Sequence, residues 1–412
     1  MTTLALENVD VRDLVNPERY AAGRPHDVWA ALRHHSPVHW CELDGFAPFW
    51  AVTRHADVRH ISTHPDLFSS AGRLIVNPVA MDVSPGMAGM TTVLNADPPD
   101  HRDWRNMAGP YFRPRPLQQL EHRVREISRV LLDQHGGADG QPTTLDFATD
   151  IASWHPLKMI AELLGAHEGD EPTILRIANE IFGNEDPEFA VDRGALFTEA
   201  FAFIGRLVAE KRAAPTDDLA SVLAHATLHG EPITDIGLVG YLLILITAGH
   251  DTTRHSLTTG LAALMDHPDQ LQLLRDRSEL CASATEEIVR TATPVMQFMR
   301  TATQDVEVGG NAVAKGDAMC LYYPSANVDE DVFHDPFAFR IDRDPNPHLA
   351  FGVGEHYCLG AALARMEIRV MLEELIPRLD AIEPAGEREI QASTFVSGIK
   401  HLPVRWRLRP AA

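Results

Sequence analysis

The sequence predicts a mainly α-helical protein with a small β component, an α+β class fold. Three observations carry this. Residues 117–213 follow a helical period broken only near Gly136-Gly137, Gly165 and Gly183-Asn184. A further helix opens at Thr234-Asp235 and runs to about His267-Pro268; its first half is apolar almost all round, as in a helix crossing the middle of a large protein. Against these stand short alternating runs, such as Val38-His39-Trp40 and Phe49-Trp50-Ala51-Val52 with Asp44-Gly45 between them, which read as a strand pair.

Composition narrows the function classes. The chain has 412 residues, a length that alone suggests two or three domains. No linker divides it, so residues 1–412 read as one domain. A formal charge of −22 argues against nucleic acid as a general partner, because binding phosphate backbones needs clustered cations. Four widely spaced cysteines form neither a disulfide framework nor a zinc pattern, which suits a reducing cytoplasm. The first ten residues carry acidic side chains and no basic-then-apolar design, so no signal peptide is expected. The most apolar run, Leu238 to Ala248, is too short to span a bilayer and reads as buried helix. No membrane association is expected.

In chain order, residues 17–36 read as helix ending before Pro37. Residues 69–95 form a long irregular segment rich in Gly, Pro and Met (Met81, Met87, Met90), and loops of that length are usually functional or mobile. Asp97-Pro98-Pro99 opens a helix on which His101 and Arg105 stand four apart, on one face, where two cations can hold an anionic group. Arg102, Arg105, Arg113 and Arg115 make this stretch locally basic in an acidic protein. Pro215-Thr216-Asp217-Asp218-Leu219 caps the next helix.

Within the long helix, polarity appears abruptly at Ala248-Gly249-His250-Asp251-Thr252-Thr253. Ala248 and Gly249 leave room for a ligand against the backbone, and Thr252 can bond a carbonyl of the preceding turn and open the helix. His250 reads as facing away or bonded in the core. Glu287 and Arg290, three apart, can pair. Thr293 to Arg300 alternates like a strand, with Val295, Met296 and Phe298 as apolar candidates for a pocket wall.

The stretch Phe351-Gly352-Val353-Gly354-Glu355-His356-Tyr357-Cys358-Leu359-Gly360 precedes a segment of strong helical character. The sulfur of Cys358 therefore lies near a helix N-terminus, where backbone N–H groups favour a thiolate and thus a metal ligand. Glycines at 352, 354 and 360 let the backbone turn tightly and approach a flat partner. Cys41, Cys281 and Cys320 lack such a setting and read as small buried hydrophobes.

This stretch resembles the haem-binding loop of the cytochrome P-450 family, Phe-Gly-x-Gly-x-His/Arg-x-Cys-x-Gly, at every fixed position. Further matches follow in the family's order: Asp-Pro-Pro-x-His-x-x-x-Arg at 97–105, Ala/Gly-Gly-x-Asp/Glu-Thr-Thr/Ser at 248–253 and Glu-x-x-Arg at 287–290. The resemblance implies haem b held by Cys358 as axial thiolate and metal ligand. It also implies that His101, Arg105, Arg300 and His356 bind the propionates, and that Ala248, Gly249, Phe351, Gly352 and Gly360 lie against the cofactor. Asp251 and Thr252 would relay protons to dioxygen. Glu287, Arg290 and Arg343 would form a buried charge network serving folding and haem incorporation.

The implied fold is a triangular haem domain whose small β-rich lobe comes mainly from 37–68, 295–325 and 385–408. Segment 69–95, with Met90, would roof the substrate pocket; 174–203 would form two lid helices and their loop; Phe395 or Val396 would face substrate from a turn at 394–398.

The implied activity is that of a soluble, monomeric, cytoplasmic monooxygenase. One oxygen atom from O2 enters a small apolar substrate, with electrons from NAD(P)H through a ferredoxin reductase and a ferredoxin, since no flavin module is seen in the chain. The ferredoxin would dock on a cationic dish including Arg113, Arg365 and Arg369. Phe298-Met299-Arg300-Thr301-Ala302 and Tyr323-Pro324-Ser325-Ala326-Asn327 look similar to bacterial hydroxylases of monoterpenes and alkyl aromatics. Fatty acid or steroid hydroxylation is the alternative, with Arg73 as the one obvious carboxylate clamp. A peroxide-driven peroxygenase would dispense with the Asp251-Thr252 relay, and a haem-thiolate sensor would lack substrate-dependent reduction.

Overall fold

The structure is a computed structural model that describes residues 5–79, 91–137 and 140–409. Met90, with Met81 and Met87, lies outside the described residues. The expected helix over 17–36 is two pieces, Pro17–Ala21 and α1 (His26–His35). Gly23 between them takes a φ of +123°, open to glycine alone without strain, and Pro25 has no N–H to continue a helix.

The strand pair is β1 (Val38–Cys41) antiparallel to β2 (Phe49–Val52), with Val38 opposite Val52. Helix α2 (His55–Ser62) and β3 (Phe68–Ser69) follow. The next elements are α3 (Asp100–Ala108), α4 (Pro114–His135), β4 (Thr143–Asp146), α5 (Trp154–Leu164), α6 (Glu171–Gly183) and α7 (Arg193–Ala213). Then come α8 (Asp235–Asp266), α9 (Cys281–Ala292), β5 (Gln297–Ala302), β6 (Ala318–Tyr322) and α10 (Ala361–Leu375). The chain closes with β7 (Leu379–Pro384), β8 (Ile399–His401) and β9 (Pro403–Leu408).

One sheet has the order β1-β2-β6-β5-β3, so strands from both ends of the chain meet in it. Every residue of β6 is buried, which is why Ala318-Met319-Cys320-Leu321-Tyr322 reads as a continuous apolar run and not as an alternation. Trp29, Phe49, Met299 and Tyr322 belong to one apolar cluster of this lobe, and Val38, Val52, Val58 and Leu321 to another. A second sheet, β7-β9-β4, borrows β4 from between α4 and α5, a pairing of Pro403 with Asp146.

Helix α8 begins with the Thr234 side chain accepting from the Gly237 N–H and continues for 32 residues. By length and apolarity it could cross a membrane, but 67% of its apolar window is packed inside the protein, as in a core helix. The Thr252 hydroxyl donates to the Ala248 carbonyl at 2.7 Å, and the helix is continuous across that bond.

Glu287 on α9 is wholly buried and receives Arg290 at 2.8 Å and Arg343 at 3.1 Å. Asn346 and the Arg340 N–H bond it as well. Both guanidinium groups spend their other hydrogens on loop carbonyls, Asn327 and Pro336 for Arg290, His334 and Ala338 for Arg343. A buried charge satisfied this fully is tolerated, and it pins α9 to the 334–346 segment that leads to Cys358.

The α6–α7 loop is tied to the C-terminal strands by charge. Lys400 bonds Asp186 and Glu188 at 2.9 Å, and His401 bonds Asp146 at 2.6 Å and Glu188 at 3.0 Å. Burial opposes the protonated imidazole, but the hydrogen bonds to Asp146 and Glu188 and their charges outweigh it and raise the pKa of His401 above its ordinary value. A raised folded-state pKa stabilises the fold fully below the unfolded value of about 6.5 and ceases to do so as pH rises through the folded value. His401→Gln should therefore lower the thermal midpoint more at pH 6 than at pH 9, measured by circular dichroism melts at both. An equal loss at both would show that the imidazole bonds in its neutral form.

Candidate active site

The loop ahead of α10 is built on two left-handed glycines, Gly352 at φ +68° and Gly354 at φ +80°. The Gly352 N–H returns to the Leu349 carbonyl at 2.8 Å, and the Cys358 N–H to that of Phe351 at 2.8 Å. The chain thereby delivers Cys358 to the start of α10, where the backbone N–H groups of Gly360 and Ala361 favour the charged sulfur. Burial pushes the thiol pKa up; those N–H groups and the charges of Arg105 and Arg365 work the other way. A metal cation at the sulfur would complete the shift to thiolate.

Cys358 faces a cavity of about 1730 Å³, a figure that includes its open mouth. The wall includes Ala248, Gly249 and Thr252 of α8 as well as Phe351, Gly352 and Gly360 of the loop. A Cβ at Gly360 would meet nothing within 4 Å, so this glycine leaves open space. Gly249 is small for a further reason: a Cβ there would come within 3.0 Å of Ile160 on α5.

His101, Arg105, Arg300 and His356 also line the cavity. The imidazoles of His101 and His356 lie 4.0 Å apart, and the Nε2 atom of each is buried without a partner. Burial, then the charges of Arg300, His101 and Arg105, drive the pKa of His356 down to about 2. Asp97 nearby is committed to Ser69 and to the Ser70 N–H. Four cationic or imidazole groups around two orphaned nitrogens lack anions among the described residues, and the two propionates of a haem would supply them. The residues present fit that group.

Asp251 is wholly buried and is not on the cavity wall. Its Oδ1 lies 3.1 Å from His250 Nδ1 and 3.1 Å from an Arg254 nitrogen, and its Oδ2 has no partner. Burial favours the neutral acid, but the Arg254 charge and the His250 bond prevail and hold the pKa at about 2. His250 Nε2 lies 3.0 Å from the Ser153 carbonyl, which only accepts, so that nitrogen carries hydrogen. The other ring nitrogen, Nδ1, is the one in contact with Asp251. Arg254 also donates to Gln391 at 2.9 Å, and Gln391 to the Val396 carbonyl at 3.0 Å.

Of the substrate-side residues, Val295 and Phe298 line the cavity. Phe395 stands behind, its ring 5.4 Å from Phe298 and 5.4 Å from Phe182 at the end of α6. Val396 is buried and paired with Val295 by a β-bridge. Met296 departs from the expectation of a pocket residue: it is fully buried with Met299 in the apolar cluster around Trp29 and Tyr322, because the chain between the Val295 bridge and β5 is irregular and turns it away from the side that carries Val295 and Phe298. Arg73 donates to the Ala47 and Pro48 carbonyls at 3.2 and 3.1 Å, so it is not a free carboxylate clamp.

Arg113 and Arg115 are exposed, as the expected docking face requires. Arg365 and Arg369 depart from it: Glu286 holds Arg365 at 2.7 Å, and Glu373 and Glu121 hold Arg369 at 2.6 and 2.9 Å. Carboxylates distant in sequence, Glu286 for Arg365 and Glu121 for Arg369, offset both charges, and Glu373 one turn along α10 adds to the second. The sequence reading also missed Glu367, a fully buried acid of α10 on the cavity wall, which burial pushes up to about 8 against a bond to the Thr253 hydroxyl. Its signal was an acid on the apolar face that carries Leu363, Val370 and Met371.

Comparison with known proteins places this geometry in context. A family profile described as Cytochrome P-450 matches residues 196–404. The chain is 36% identical to linalool 8-monooxygenase of Pseudomonas putida over 95% of its own length and 98% of the relative's. It is 37% identical to a steroid C26-monooxygenase of Mycolicibacterium smegmatis, covering 92% and 90%. A crystal structure of a cytochrome P-450 from Novosphingobium aromaticivorans superposes with a TM-score of 0.88 at 34% identity, covering 97% of this chain and 98% of that one.

The propionate assignment has a direct test. His356→Ala or Arg300→Leu should lose haem to an excess of a haem-scavenging apoprotein about tenfold faster, the effect of one lost charge-assisted hydrogen bond. Unchanged transfer rates in both would place the propionates elsewhere.

Proposed function

The chain belongs to the cytochrome P-450 family of haem-thiolate monooxygenases, and from that premise we propose that it is a cytoplasmic hydroxylase of small apolar molecules, monoterpenes or alkyl aromatics. The observation that carries this reading is the cavity, with Cys358 on one wall and the small-residue stretch of α8 on another. Once the four cationic and imidazole groups are taken by propionates, the remaining wall is mostly apolar, with Leu245, Val295 and Phe298 among its residues. A fatty acid would need a cation for its carboxylate, and the one foreseen, Arg73, is engaged with backbone. A relative at 36% identity acts on linalool, a small terpene alcohol.

The overall reaction is R–H + O2 + 2e⁻ + 2H⁺ → R–OH + H2O. Bound haem supplies the redox centre at which dioxygen is reduced and one of its atoms passes to substrate. The chain supplies the rest. Cys358 holds the iron through its sulfur. Val295 and Phe298 would exclude water and confine the substrate in the cavity beside Ala248 and Gly249. Ala248 and Gly249 leave space beside the α8 backbone, and the Thr252 hydroxyl, fixed to the Ala248 carbonyl, presents a polar atom at the edge of that space. The adjacent His250–Asp251 pair stores a proton out of contact with the cavity, where Thr252 is the next group able to carry it. Electrons arrive from a ferredoxin that docks on the exposed arginines Arg102, Arg113 and Arg115.

Turnover with isotopically labelled dioxygen, NADH, a ferredoxin and its reductase should place one labelled oxygen atom in a hydroxylated terpene. Product formed only with added peroxide would replace this reading with that of a peroxygenase. Thr252→Ala should keep consuming NADH and dioxygen while releasing hydrogen peroxide in place of product, and Asp251→Asn should slow turnover by at least about tenfold. Fully coupled product formation in Thr252→Ala would count against the relay. Arg113→Glu should slow reduction by the ferredoxin and flatten its dependence on ionic strength; an unchanged rate and slope would move the docking face elsewhere.

A further inference from the structure

Glu286 precedes the buried Glu287 in sequence and points to a different part of the molecule. Its carboxylate accepts two hydrogen bonds from one guanidinium, Arg365 Nε at 2.7 Å and Nη2 at 2.9 Å, a fork that fixes both groups. The same carboxylate lies 3.1 Å from His348 Nε2. His348 Nδ1 accepts the Ala350 N–H at 3.3 Å, so the ring hydrogen is on Nε2 and is donated to Glu286.

Arg365 extends this grip to the cysteine loop. Its Nη1 donates to the Tyr357 hydroxyl at 2.7 Å, and its guanidinium lies 4.4 Å from the centre of the Phe351 ring. Phe351 is the residue whose carbonyl receives the Cys358 N–H, and Tyr357 is the neighbour of Cys358. Residues 348, 351 and 357 of the loop thus hang on one ion pair between α9 and α10. Neither the Glu287 network nor the proton store uses it. Arg365 is also near enough to favour the Cys358 thiolate, and Glu286 cancels part of that charge.

We propose that the Glu286–Arg365 pair positions the Cys358 thiolate and sets its electron-donating strength, and with it the reduction potential of the bound haem. An uncancelled Arg365 charge draws electron density from the sulfur, and iron facing a weaker donor is easier to reduce. A loosened fork lets the loop drift, and the sulfur then takes a proton more readily. The role differs from docking, for which a cation already paired by a bidentate carboxylate is poorly suited.

The proposal rests on the haem-thiolate reading, and a wild-type ferrous–carbon monoxide spectrum without the thiolate signature would overturn that reading instead. On haem-loaded protein, two quantities are measured: the ferric/ferrous midpoint potential, and the half-time for the carbon monoxide complex to pass from thiolate to neutral-thiol ligation. Glu121→Gln, which removes a carboxylate from Arg369 on the same helix without touching the loop, is the control. Glu286→Gln should move the potential positive, and further than the control. Arg365→Lys, which keeps the charge but loses the fork, should leave the potential near wild type and shorten the half-time about tenfold. A Glu286→Gln shift no larger than the control's, or a wild-type half-time in Arg365→Lys, overturns the proposal. Should Glu286→Gln fail to retain haem, the half-time of Glu286→Asp decides: shortened supports the pair, unchanged overturns it.

Discussion

A sulfur that must carry negative charge on the wall of a deep, mostly apolar cavity is the constraint on which the rest of the structure depends. Burial favours the neutral thiol, so the charge must be supported locally. The start of α10 gives two N–H groups, and the glycines at 352 and 354 let the loop turn twice to bring Cys358 there. The loop itself has little regular structure and so needs external supports. Glu287 with Arg290 and Arg343 holds the chain leading into it, and Glu286 with Arg365 holds the loop from outside. Adjacent glutamates on one helix therefore serve two separate networks.

Charge is segregated around the cavity according to what each wall must do. One side gathers His101, Arg105, Arg300 and His356 and leaves two ring nitrogens without partners. On α8 the acid is kept behind the wall, where Arg254 and His250 bond it, and the polar residues the helix presents to the cavity are the neutral Thr252, Thr253 and Ser256. Arg254 reaches on through Gln391 to the backbone of Val396, so the acid's partner is fixed to the turn that packs behind Val295. An ionised side chain placed directly on the wall would attract water into a space that otherwise favours apolar molecules.

What the sequence made legible was local. The Cys358 loop, the His101–Arg105 face, the Thr252 region and the Glu287–Arg290 pair are short patterns whose chemistry survives in isolation. The helix period and the β1–β2 alternation gave the class of fold for the same reason. What stayed hidden depends on partners distant along the chain. Arg365 looked like a free surface cation because Glu286, its partner, lies 79 positions away. Met296 looked like a wall residue because the irregular step ahead of β5, which turns it to the side of Met299 and away from Val295 and Phe298, leaves no mark in the pattern. The break at Gly23 and Pro25 could have been read; the joining of β4 to the C-terminal strands could not.

The central claim is that the space above Cys358 is a preformed site for a small apolar molecule. It is tested most directly by optical titration of the purified ferric protein with monoterpenes, alkyl aromatics, fatty acids and steroids. A fitting molecule displaces water from the iron and shifts the Soret band as the spin state rises. The account predicts a saturable shift with monoterpenes or alkyl aromatics and none with fatty acids. A shift confined to steroids or fatty acids, or none with any of the four, would contradict it.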